Sequence, residues 1–165
     1  MSRCNRCHRT LKNPIYIEIG MGKICLAKSR ATSEREENLF DPEHIEGNPL
    51  EVGLIIRRTP QFKIATNISR VLIQHSPTGF EVGYSGSGVA DFALNTLHAF
   101  LPPTGEDFTI TYNGAKCSRL AYRLHQQFKD DFLASQKIHN LLNEGKTFKL
   151  SATVIKKWIE KERNK

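Results

Sequence analysis

The chain has 165 residues, 39% hydrophobic and 25% charged, a balance that supports a folded core and argues against wholesale disorder. No apolar run approaches the roughly 18 residues of a membrane-spanning helix, and no signal-peptide core follows Met1, so neither a spanning protein nor export by that route is expected. The formal charge of +7 is compatible with a nucleic-acid partner without requiring one. Its distribution says more. Residues 1–33 carry seven basic residues and the single acid Glu18, whereas residues 34–149 carry 12 basic and 14 acidic residues. The tail from Ser151 adds five basic residues against Glu160 and Glu162. Positive potential therefore concentrates at the ends, chiefly the N-terminal one.

Cys4-Asn5-Arg6-Cys7 brings two thiolates onto one tight turn, a spacing suited to two corners of a zinc tetrahedron. Cys25 returns after the Gly20-Met21-Gly22 turn as a third corner. Between them, Ile15-Tyr16-Ile17-Glu18-Ile19 has strand-forming composition and predicts a short hairpin arm. A segment this small buries little apolar surface, so a metal is its natural stabiliser. A Cys4–Cys7 disulfide and a redox CxxC are the alternatives. For the fourth ligand the candidates are His44, in Asp41-Pro42-Glu43-His44, and His8, whose adjacency to Cys7 makes its geometry demanding. His44 is favoured. Cys117, far along the chain ahead of a predicted helix, reads as a buried apolar residue. Arg3, Arg6, Arg9, Lys12 and Lys23 are placed to contact phosphates, and Tyr16 to stack on an unpaired base.

The residues Cys4, Cys7, Arg9, Leu11, Pro14, Gly20, Gly22 and Cys25 follow the pattern C-x-x-C-x-R-x-L-x-x-P then G-x-G-x-x-C. Over about 25 residues this resembles a small uncharacterised zinc-knuckle module of phage and actinobacterial proteins. The resemblance implies metal binding and no enzymatic activity.

Residues 29–48 are charged and poor in large apolar residues, and read as a polar connector. The predicted organisation is a basic zinc-knuckle module over 1–30, a linker over 31–48 and an α+β domain over 49–165. Within that domain Leu54-Ile55-Ile56, Phe62-Lys63-Ile64-Ala65, Val71-Leu72-Ile73-Gln74 and Phe80-Glu81-Val82-Gly83-Tyr84 are β-prone runs, with a turn at Ser76-Pro77-Thr78-Gly79. Apolar residues at Val89, Ala90, Ala93, Leu94, Leu97 and Leu101 predict a helix closed by Pro102-Pro103. Phe108–Tyr112 predicts another strand. Ser118 caps a helix running to Leu133, and Ser151 caps a final helix carrying Val154, Ile155, Trp158 and Ile159. The expected fold is α+β: a small antiparallel sheet with about three helices, behind the knuckle.

Gly86, Ser87 and Gly88 join a strand to a helix, with Ser87 as the expected N-cap. The exposed amides there, with Asp91, make a possible anion site; the alternative is a tight turn that lets the helix approach the sheet. Neither GxGxxG nor a P-loop is present. Residues 75–97, HSPTGFEVGYSGSGVADFALNTL, resemble the signature h-S-P-x-G-F-x-W-G-Y-x-G-S-G-P-A-x-L-A-L-x-L of an uncharacterised phage and mobile-element family. The downstream AYRLHQQFK and IKKWI stretches also fit, so the likeness spans most of 50–160. Val82 stands where that family has Trp, and Val89 where it has Pro. The resemblance implies a phage or mobile-element origin, and hence the cytoplasm of a bacterial host, and carries no reaction with it.

Asp91, Asn95 and His98 recur along one line of the predicted helix, and a solvated face is the expected explanation. His75, His125 and His139 are isolated in sequence. Without a Ser-His-Asp order, HExxH or carboxylate pair, the chain is not expected to be an enzyme. The expected partners are nucleic acid, bound through the basic N-terminal module, or a bacterial host protein that the chain inhibits by docking on it. A small phosphate ligand at the glycine loop is the third possibility.

Overall fold

The computed structural model describes residues 3–4, 9–19, 21–25 and 41–165. The chain divides into two compact units, Met1–Phe40 and Asp41–Lys165. Cys7, Arg6 and His8, and most of the connector, lie outside the described residues. Among the described residues no helix is long and apolar enough to cross a membrane.

In the first unit, the described residues on either side of the CxxC segment pair with each other. Arg3 bridges Thr10, and the Cys4 amide donates to the Arg9 carbonyl at 2.9 Å. The expected strand at residues 15–19 is instead helix α1 (Pro14–Ile19). Asn13 is the reason: its side chain accepts from the Ile15 amide at 2.9 Å, and Pro14 follows with φ already set for a first turn. That local start signal outweighs the β preference of the isoleucines.

The second unit is α+β. Its strands are β1 (Glu43–His44), β2 (Leu54–Arg58), β3 (Ile64–Thr66), β4 (Phe108–Ile110), β5 (Lys116–Ser118) and β6 (Phe148–Leu150). The helices are α2 (Pro49–Val52), α3 (Ser87–Phe100), α4 (Arg119–Phe128), a π-helical turn (Lys129–Leu133), α5 (Gln136–Asn143) and α6 (Ala152–Arg163). Four strands form one sheet in the order β1-β3-β2-β6, and β4-β5 is a separate ribbon. The sheet is mixed rather than antiparallel, because β1 runs parallel to β3 with His44 opposite Thr66. Residues 41–48, read above as the end of the linker, thus belong to the second unit. The helices also exceed the three expected.

α3 is the centre of the core. Every residue from Gly88 to Leu97 is buried, so the helix has no solvent side. A helix enclosed all round must satisfy its polar residues internally. Phe92 stacks on Phe80 at 4.5 Å between ring centroids, and Leu94 and Leu97 are fully enclosed. Elsewhere in the core, Phe128 and Phe132 pack edge-on against Trp158.

Residues 71–74 and 80–84 are irregular, not strands. The hydrogen bonds a neighbouring strand would make come from side chains: Asn95 Oδ1 accepts from the Val71 and Leu72 amides, both at 2.8 Å, and Asn113 Oδ1 from Ile73. Over 80–84, the Gly83 amide donates to the Leu133 carbonyl at 2.8 Å. Gly83 has φ +91°, and a Cβ there would lie 2.4 Å from His139 Cβ, so only glycine fits.

Ser118 and Ser151 cap α4 and α6 as expected, accepting from the Ala121 and Val154 amides. The helix from Ser118 does not continue regularly to Leu133. After Phe128 it widens into the π turn, closed by the Ala134 amide on the Lys129 carbonyl. The extra residue turns Asp131 to accept the Trp158 indole N–H at 2.8 Å.

Candidate functional site

Two groups of chemistry-bearing residues stand out, one in each unit. In the first unit, Cys4 is buried and Cys25 half-buried, and both line one cleft of about 530 Å3 together with Arg9, Leu11, Gly22 and Lys23. Cys7, the second half of the CxxC pair, lies outside the described residues. Among the described residues no three metal-ligand side chains converge. Arg3, Arg9, Lys12 and Lys23 are exposed, while Tyr16 is half-buried on α1, which narrows the face it offers a base. Arg6 lies outside the described residues.

His44 sits in the second unit on the edge strand β1, exposed, and lines a shallow cleft of about 340 Å3 with Asp41, Ser69 and Arg70. Cys117 is fully enclosed on β5, and burial pushes its thiol up to about 11. Such a thiol is inert at neutral pH.

At the glycine loop, Gly86 rather than Ser87 is the N-cap of α3; Ser87 is the first helical residue. Gly88 packs so closely that a Cβ would lie 2.9 Å from the Gly79 carbonyl oxygen. The close approach of helix and loop therefore accounts for this glycine. Asp91 and Asn95 do not form a solvated face; both are buried. The Asp91 carboxylate accepts from the amides of Gln74 (3.2 Å), His75 (2.9 Å) and Ser76 (2.9 Å). Its negative charge is thus already engaged with backbone N–H groups. Asn95 donates from Nδ2 to the Leu72 and Asp91 carbonyls, each at 2.8 Å. His98 is half-buried, its Nδ1 enclosed without a partner, and burial lowers its pKa.

Sequence reasoning missed the second group. His75, exposed on the Asp91-bound loop, meets His125 on α4, with Nε2 atoms 2.8 Å apart and rings stacked at 5.0 Å. His125 is buried, and its Nδ1 bonds to the Tyr122 carbonyl one turn back. A carbonyl only accepts, so Nδ1 carries the proton and Nε2 presents its lone pair. Gln126 places its side-chain N–H2 2.9 Å from the same nitrogen, and its Oε1 accepts from Lys129 Nζ. Desolvation lowers the His125 pKa, with the Tyr122 bond opposing. Fifty residues of sequence separation gave no signal of this pairing.

Fold and site together define an α+β domain preceded by a small basic cysteine-bearing unit. No protein-family model, curated protein or solved structure matches the chain.

Proposed function

We propose that the chain is a zinc-binding, nucleic-acid-binding accessory protein of a phage or mobile element, acting without catalysis in the cytoplasm of a bacterial host. One observation carries the reading: Cys4 and Cys25, distant in sequence, line one cleft with Arg9 and Lys23. Cys4, Cys7 and Cys25 supply thiolates to a structural zinc ion, which fixes the turn bearing the basic side chains. Arg3, Arg6, Arg9, Lys12 and Lys23 then engage phosphates. Because phosphate contacts carry no sequence information, weak base preference follows.

Elemental analysis of protein purified without chelator tests the metal half, with about one zinc per chain expected. Absence of zinc, with Cys4 and Cys25 both freely alkylated, overturns it. Binding to single-stranded and duplex nucleic acid at several salt concentrations tests the other half. A steep fall with salt is expected, and salt-insensitive or absent binding overturns it.

A second reading, docking on a bacterial host protein, has its own support. Ile15, Ile17, Ile19 and Ile24 are all exposed on the first unit, more apolar surface than a solvated module requires. A stoichiometric protein partner that survives nuclease treatment in affinity capture favours this reading over the first.

A further inference from the structure

We propose that His75 and His125 form an open site for a divalent transition-metal ion of the zinc type, separate from the cysteine unit. The pair has the construction of a two-imidazole site. Nδ1 of His125 is pinned to the Tyr122 carbonyl, the outer bond that orients a metal-ligating histidine and leaves Nε2 as ligand. His75 approaches from an exposed loop, so an ion can enter from solvent. That loop is itself held in place, since Asp91 accepts the His75 and Ser76 amides.

Without metal the arrangement is over-subscribed. The single in-plane lone pair of His125 Nε2 faces two donors, His75 Nε2 at 2.8 Å and the Gln126 amide at 2.9 Å. One lone pair cannot align with both. A bound ion resolves this: it takes the His125 lone pair, His75 shifts its proton to Nδ1 and offers Nε2, and the Gln126 N–H2 donates to a metal-bound water. Zinc–nitrogen bonds of about 2.0–2.1 Å in a tetrahedron need the nitrogens roughly 3.3 Å apart. A small rotation of the exposed His75 ring provides that opening.

The surrounding charges are balanced. The buried Asp91 carboxylate favours a cation near His125 and Lys129 opposes it, while Lys129 Nζ is itself 3.2 Å from Asp130. With two protein ligands the remaining positions fall to water, which makes the site labile and selects borderline ions over magnesium or calcium.

The test uses the full chain, 15N-labelled, loaded with one equivalent of zinc and then titrated with further Zn2+ while the imidazole nitrogens are followed by NMR. The Nε2 resonances of His75 and His125 should move together and saturate at one added ion. The surface variant His75→Gln should abolish the response at His125, and His139→Gln should leave both responses intact. The imidazole spectrum is recorded before and during the loading equivalent as well, so that if the cysteine unit takes no zinc the same coupled shift of the two rings appears in that first step. Unmoved resonances, movement of only one ring, or an unchanged His125 response in His75→Gln would overturn the proposal.

Discussion

Asp91 shows how one buried side chain fixes a whole loop. Its carboxylate stands in for a neighbouring strand, and removing it leaves three backbone N–H groups, that of Ser76 buried, without their acceptor. Asp91→Ala should therefore cost about 3–5 kcal/mol, as for other buried charged groups whose partners are abandoned. Asp91→Asn keeps an acceptor and should cost less. Urea unfolding at neutral pH separates the two; equal midpoints for both variants and the parent would contradict the role. Gly83 is constrained differently, by a positive φ and by His139 at its back. Gly83→Ala should destabilise by about 2–4 kcal/mol through combined backbone strain and overpacking. A thermal midpoint unchanged from the parent would show that the loop relaxes freely. Neither cost is visible in sequence, where Asp91 reads as a helix-face residue and Gly83 as part of a β-prone run.

At the scale of elements, α3 couples the core to pH. His98 is buried enough for its pKa to fall below the ordinary histidine value of 6.5, because burial penalises the charged ring. The unfolded chain then binds the proton more readily, so stability present at neutral pH is lost as pH falls through about 6.5 and below. His98→Gln should shrink the drop in urea midpoint between pH 7.5 and pH 5.5; an identical drop in both proteins would refute the assignment. The helix itself was legible in the sequence because its apolar stripe and Pro102-Pro103 stop are local signals. Ser118 and Ser151 were legible as caps for the same reason. Residues 71–74 were not, since their composition is that of a strand while their hydrogen-bond partners, Asn95 and Asn113, come from distant positions. α1 had a local signal, Asn13-Pro14, that the strand-like isoleucines obscured. The His75–His125 pair had none, because only the packing of the loop on α4 brings the rings together.

For the whole molecule, the two units should fail independently. The second has its own core around α3, whereas the first, on the proposed reading, is held by zinc at its cysteines. Cys4→Ser should release zinc yet leave the urea transition of Trp158, the chain's one tryptophan and a residue of the second unit, unchanged. A Trp158 midpoint lowered in step with zinc loss would contradict that independence. On the proposed reading, metal holds the basic side chains in a binding arrangement. The most direct measurement of this is the salt dependence of single-stranded nucleic-acid affinity for the zinc-loaded chain and for the same chain after chelation. The loaded chain should show a log–log slope of about −3 to −4, as five cations contacting single-strand phosphates imply, and chelation should weaken binding at least about tenfold and flatten the slope. Equal affinity and equal slope in the two states would contradict the account.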